Sequence, residues 1–138
     1  MGDYLLDTGI LIRHLRKCPG YYNLLDVLQQ RGILVLSVYT RIEIIRGMRE
    51  SERDVTYQLL NSMVTIPVNI QVADQTGELV RGWREKGFVL SDGDAIIAAT
   101  GLAFNLELVT TNARHFPIPE LTVWQADETG NLTMKGSP

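Results

Sequence analysis

Asp7, Glu43 and Asp94 each stand beside strongly apolar residues. Asp7 closes the run Tyr4-Leu5-Leu6, Glu43 interrupts Ile42-Glu43-Ile44-Ile45, and Asp94 opens Ala95-Ile96-Ile97-Ala98-Ala99. A buried carboxylate without a partner is costly, so each needs a hydrogen-bond donor, a proton or a cation. If the fold brings the three together, their mutual repulsion favours a divalent ion. An oxygen-only site of this kind suits Mg2+ or Mn2+, and such ions support phosphodiester hydrolysis.

Each acid also has a plainer reading. Asp7 and Asp94 both precede helical patterns, where Asp is a common N-cap, and Asp92 competes with Asp94 for that duty. Glu43 could be an ion-pair partner of Arg46 or Arg41. Thr40, Glu43 and Gly47 share a helix face, and Gly47 leaves room for close approach. Other chemistries find little support. His14 and His115 are not at zinc-like spacing, and Cys18 is the sole cysteine, which excludes an intrachain disulfide. No phosphate-binding loop of the G-x-x-x-x-G-K-[ST] type and no G-x-G-x-x-G occurs.

The elements that must position these acids alternate. Short buried strands are expected at Tyr4-Leu5-Leu6, Ile33-Leu34-Val35-Leu36, Val64-Thr65-Ile66, Glu107-Leu108-Val109 and Leu121-Thr122-Val123-Trp124. Helices are expected from Ile10 to Leu15, then after Pro19 with Tyr22, Leu25 and Leu28 on one face and Gly32 as the stop. Another runs from Val38 to Glu50 behind a Ser37 cap, and one covers about 52–62. A longer helix follows Asn69, with Val72, Thr76, Leu79 and Trp83 on one face and Gly87 closing it. The last starts at Ser91 or Asp92, runs through Phe104 and is apolar nearly all round, so it lies deep. Alternation of this kind implies a mostly parallel sheet covered on both faces. Its sites form beyond the carboxyl ends of the strands, where Asp7, Ser37, Thr110, Thr111 and Asn112 converge.

Length and composition set the outer bounds. The chain of 138 residues fits one domain, and 45% hydrophobic content suits a globular core. No apolar run is long enough for a membrane span, and no signal peptide is seen, so the cytoplasm is the default compartment. Met1-Gly2 lacks the Ser or Thr at position 6 of a myristoylation signal. A net charge of −3 argues against coating nucleic acid by charge alone, yet an acidic metal pocket is compatible with it. From Ala126 the periodicity fades and a tail is expected; Gly136-Ser137-Pro138 is compatible with a cloning remnant.

Four segments in order carry a resemblance. Leu5-Leu6-Asp7-Thr8-Gly9-Ile10-Leu11-Ile12, Leu36-Ser37-Val38-Tyr39-Thr40-Arg41-Ile42-Glu43 with Gly47, Leu90-Ser91-Asp92-Gly93-Asp94-Ala95-Ile96-Ile97-Ala98-Ala99, and Val109-Thr110-Thr111-Asn112 with Phe116 resemble the motifs of PIN-domain ribonucleases. The likeness is strongest to the VapC-type toxins of toxin–antitoxin pairs and covers residues 3–125. It implies a three-layer α/β/α fold with a short, mostly parallel sheet of four to five strands. The nuclease domain is then expected over 1–125, with a tail over 126–138. It further implies that Asp7 and Asp94 are the main Mg2+ or Mn2+ ligands, that Glu43 completes the set or orients a metal-bound water, and that Asn112 holds the fourth catalytic position. His115 stands where many relatives carry another acid. Asp92 is a candidate to compensate, and Thr8 and Thr111 are candidates to hydrogen-bond a carboxylate or phosphate.

The implied activity is endonucleolytic hydrolysis of RNA, leaving a 5′-phosphate and a 3′-hydroxyl. Arg13, Arg16, Arg41, Arg46 and Arg114 are candidates to hold phosphates, or else solvated surface charges. The implied partners are RNA, a cognate antitoxin that inserts a cationic segment into the acidic pocket, and a second copy in a homodimer. Tyr21, Tyr22, Leu25 and Leu28 are candidates for such a contact, or plain core. Two other readings compete. One is a PIN-fold RNA- or protein-binding module with a decayed site, invited by Asn112 and His115. The other is an aspartic protease, suggested by Asp7-Thr8-Gly9, which needs two facing copies in a β-rich framework and leaves Glu43 and Asp94 unexplained.

Overall fold

Strand residues here alternate between two apolar faces, which requires helices on both sides of the sheet. The computed structural model describes residues 2–136. Strands β1 (Tyr4–Leu6), β2 (Leu34–Ser37), β3 (Val64–Ile66), β4 (Glu107–Thr110) and β5 (Val123–Ala126) are parallel, and β6 (Leu132–Met134) is antiparallel to β5. Their order is β3-β2-β1-β4-β5-β6. The chain thus steps outward from β1 to one edge, then resumes on the other side of β1 with β4. That reversal is a topological switch point, and its crevice lies beyond the carboxyl ends of β1 and β4.

Helices α1 (Thr8–Leu15), α2 (Tyr21–Arg31) and α4 (Arg53–Asn61) cover one face. Tyr4, Leu6, Leu34, Leu36 and Val109 pack there with Ile10, Leu11, Leu24, Leu28 and Leu60. The intervening residues Leu5, Val35, Leu108 and Val123 face the other layer, against Ala95, Ile97 and Ala98 of α6 (Asp92–Ala103) and against Phe116. Helix α5 (Ile70–Glu85) lies along α6 and adds Leu79, Val80 and Trp83. Helix α3 (Val38–Gly47) spans the rim, with Ile44 in the first core and Tyr39 against the second. Among the described residues, no helix is long and apolar enough to cross a membrane.

The expected α/β/α architecture is present, with six strands rather than four to five. The extra one, β6, lies where a tail was expected. Asp127 accepts from the amides of Thr129 and Asn131, and Gly130 takes a left-handed φ of +79°, so the turn returns the chain onto β5. Ser137 and the terminal Pro138 lie outside the described residues. β2 begins at Leu34, because Ile33 is exposed and its amide bonds the Asp3 carboxylate at 2.9 Å. β5 begins at Val123, because Leu121 closes a turn onto the Ile118 carbonyl and packs over Gly101. Tyr22 is 78% exposed, whereas Tyr21, Leu25 and Leu28 are core. The helix starts at Tyr21 behind a left-handed Gly20; Leu25 and Leu28 are buried as expected, and Tyr21 rather than Tyr22 shares their face. Asp7-Thr8-Gly9 opens a helix on a parallel sheet, not a loop in a β-rich protease framework.

The turn between β5 and β6 sits on the start of α2. Tyr21 donates its hydroxyl to the Asp127 carbonyl at 2.7 Å, and a Cβ on Gly20 would stand 1.7 Å from the Thr129 carbonyl oxygen. Gly20 has φ +86° and Gly87 has φ +85°, but nothing lies within 4 Å of a Cβ at Gly87. Urea denaturation of Gly87→Ala is therefore expected to show only the left-handed strain of about 1–2 kcal/mol. Gly20→Ala is expected to lose at least about 2 kcal/mol more, because backbone must move. Equal losses for the two variants would contradict this packing.

Candidate active site

Asp7 is delivered by the end of β1. It caps α1, its Oδ1 accepting from the Thr8 amide at 2.8 Å. Its Oδ2 accepts from the Thr110 hydroxyl at 2.6 Å. Thr110 ends β4, the neighbour of β1, so the two strands that flank the switch point meet through this bond. The Thr110 oxygen also accepts the Asn112 amide at 3.0 Å, which ties the following loop to the same carboxylate.

Glu43 is carried by α3, whose Ser37 cap accepts the Thr40 amide at 3.1 Å. The Thr8 hydroxyl donates to Glu43 Oε1 at 2.7 Å, and the buried Thr40 hydroxyl lies 3.1 Å from the Thr8 oxygen. The outer oxygen, Oε2, faces Arg46 at 3.7 Å on the solvent side. That ion pair was one plain reading of Glu43, and it coexists with the Thr8 bond. Arg41 is engaged elsewhere, with Thr65 and Asn61. Gly47 has open space around it and lines a small cleft with Glu43, Ile12 and Arg16.

Asp94 lies in the first turn of α6. Ser91 takes the cap, accepting the Asp94 amide at 3.2 Å, so neither Asp92 nor Asp94 spends its side chain there. Asp92 points to solvent. The residue between them is tightly used, since a Cβ on Gly93 would stand 2.4 Å from the Tyr39 ring. Tyr39 thereby sets how closely α3 and α6 approach, and with it the spacing of Glu43 and Asp94. Asp94 Oδ2 faces His115 Nδ1 at 3.7 Å.

The electrostatics tie the three acids together. Burial is the main cause that pushes the Asp7 carboxyl above its ordinary range, and the charges of Asp94 and Glu43 push it further, against the Thr110 and Thr8 hydrogen bonds. Asp94 is raised in the same way by burial and by Glu43, while Ser91 and His115 pull it down. Among the described residues, no three carboxylate, imidazole or thiol groups are already closed around a point that would hold a metal. Asp7 is instead held by a hydroxyl and an amide, Glu43 by a hydroxyl and a surface arginine, while Asp94 faces His115. The donor set still fits a hard divalent ion: all three are oxygen ligands, they repel one another, and Asp7 has no cationic partner in hydrogen-bond or ion-pair contact among the described residues.

Asn112 follows β4 and is exposed, with its amide nitrogen 3.4 Å from the Thr111 hydroxyl. Thr111 also abuts Gly9, where a Cβ would stand 2.8 Å from the Thr111 oxygen. Of the candidate hydroxyls, Thr8 does bond a carboxylate. Thr110 was expected on this rim from sequence, but its bond to the Asp7 carboxylate was not.

A raised carboxyl means that the folded state prefers the protonated form, so stability falls as pH rises through the interval above the ordinary value near 4. At neutral pH the ionised Asp7 is a net cost to folding. In chelator at pH 7, Asp7→Asn is expected to melt at a higher temperature than the parent chain, and the gap is expected to close below about pH 4. Thermal melts across pH measure this; a lower melting temperature at neutral pH would contradict it.

Comparison with known proteins agrees with the geometry. The PIN domain family matches residues 4–120. Ribonuclease VapC10 of Mycobacterium tuberculosis is 35% identical over 116 residues, covering 84% of this chain and 87% of the relative. Ribonuclease VapC19 of the same organism is 36% identical over 119 residues, covering 85% and 95%. VapBC2 of Rickettsia felis, solved bound to a DNA fragment from their promoter, superposes with a TM-score of 0.80 at 26% identity, covering 92% of this chain and 100% of that one. With its acids on the rim that the strand order dictates, and with these relatives, the chain belongs to the PIN-domain family, among its VapC-type members.

Proposed function

We propose that this chain is a metal-dependent endoribonuclease and the toxin of a toxin–antitoxin pair. The observation that carries the reading is the mutual influence of Asp7, Glu43 and Asp94 at the switch point of a PIN-domain sheet. Relatives named as ribonucleases support the substrate class.

Asp7, Asp94 and Glu43 are the residues that would hold Mg2+ or Mn2+. When bound, such an ion supplies a water of lowered pKa and offsets charge on the leaving oxygen. The chain's own residues do the rest. Asp7, braced by Thr110 and Thr8, keeps one carboxylate orientation. Thr8 holds Oε1 of Glu43, leaving Oε2 toward the opening. Arg46 and Arg16 stand beside Glu43 and its cleft, where a phosphate of the RNA backbone would pass. Asn112, exposed after β4, would have to leave Thr111 to offer its amide to the scissile region.

Two partners follow in the same reading. A cognate antitoxin would present a cation to this pocket, which lowers the repulsion there without supporting hydrolysis. Solved relatives are VapBC assemblies, which supports this partner. A homodimer is also inferred, with exposed Val68 and Ile70 at the start of α5 as apolar surface available to it. A non-catalytic module is the competing reading, invited by Asn112 and His115 in the fourth motif.

Purified protein incubated with total cellular RNA and Mn2+ is expected to give defined cuts ending in 5′-phosphates, and none in chelator. Asp7→Asn or Asp94→Asn is expected to lower the cleavage rate at least about 100-fold with circular dichroism unchanged. Undiminished cleavage by both variants would refute their assignment. Calorimetry showing no Mn2+ binding at millimolar ion would favour the non-catalytic module.

A further inference from the structure

His115 is one of two histidines in the chain, and it stands beside the acids on a turn held from several directions. The turn Ala113–His115 follows Asn112. The His115 amide bonds the Asn112 carbonyl at 3.0 Å, and the Ala113 amide bonds the Gln125 side chain at 2.8 Å. Gln125 on β5 also donates to the Thr111 carbonyl at 2.8 Å. Directly after the turn, Phe116 is fully buried, and Lys135 on the far side of the β5–β6 hairpin donates to its carbonyl. The imidazole is therefore aimed by fixed backbone, although its ring is half exposed.

What it is aimed at is Asp94. The 3.7 Å between His115 Nδ1 and Asp94 Oδ2 is too long for a hydrogen bond. It is close to the separation of two ligands on one ion, which is roughly 3–4 Å for bonds near 2.1 Å. Asn112 does not compete for this direction, since its amide is turned to Thr111. The donor that the loop after β4 presents to the acids is thus a nitrogen.

We propose that His115 is an additional ligand of the metal held by Asp94, so that this pocket favours nitrogen-accepting divalent ions such as Mn2+ and Co2+ over Mg2+. The proposal rests on the metal-dependent reading above. Its chemical basis is ligand type: imidazole suits the later first-row ions, whereas Mg2+ takes oxygen ligands and keeps its waters. A pocket of carboxylates alone has a smaller bias of this kind.

The second histidine makes the test clean. His14 lies in the last turn of α1, stacked on Tyr22 with ring centroids 6.1 Å apart. Electron spin echo spectra of the Mn2+-loaded protein are expected to show nitrogen modulation that is lost in His115→Gln and kept in His14→Gln. By calorimetry, His115→Gln is expected to weaken Co2+ binding at least about tenfold and to leave Mg2+ binding within about twofold. Bound Mn2+ without nitrogen modulation, or modulation that survives His115→Gln, overturns the proposal. If Asp94→Asn still abolishes Mn2+ binding in that case, the acidic metal site itself stands. If the parent chain binds no Mn2+, both readings fall.

Discussion

Like charges gathered in a poorly solvated recess are the constraint around which this molecule is organised. The parallel strands all release their chain on one rim, so the acids that follow β1 and β2 cannot avoid each other or Asp94 on α6. Burial and repulsion act in the same direction on Asp7 and Asp94. Such an arrangement costs stability in the folded chain, and added positive charge would relieve that cost.

Neutral hydroxyls hold the acids in place. Thr110 braces Asp7, and Thr8 with Thr40 braces Glu43. A hydroxyl can hold a carboxylate in place without cancelling its charge, which a lysine or arginine in the same place would do. Ser91 follows the same logic, because it takes the cap of α6 and leaves the Asp94 side chain free of that duty. The packing of Gly93 under Tyr39 sets the gap between the helices that carry Glu43 and Asp94. The site is thus spaced by close backbone approach and oriented by hydroxyls.

Much of this was legible in the residues. An acid between isoleucines in mid-helix has few uses, so Glu43 announced itself, and the strand–helix alternation led to the layered sheet. Asp7 shows that a cap need not use a whole side chain, since one oxygen caps while the other meets Thr110. Thr110 was legible as a rim residue but its bond to Asp7 was not, because threonine is at home at any strand end and its partner lies 103 positions away. The buried face of α2 was legible at Leu25 and Leu28, and only its first member differs, since Tyr21 is core and Tyr22 is exposed. β6 escaped notice because three residues carry little periodicity, although Asp127 and Gly130 supplied turn chemistry.

The return of the chain along β5 has an effect on handling the molecule. β6 covers a backbone edge that would otherwise be open, and its turn also seats the phenol of Tyr21. A protein clipped near residue 126 would bare a row of amides and carbonyls able to zip onto strangers, and it would loosen the helix beneath. Proteolytic trimming of those dozen residues is therefore a route to precipitation, while labels or fusions belong beyond them.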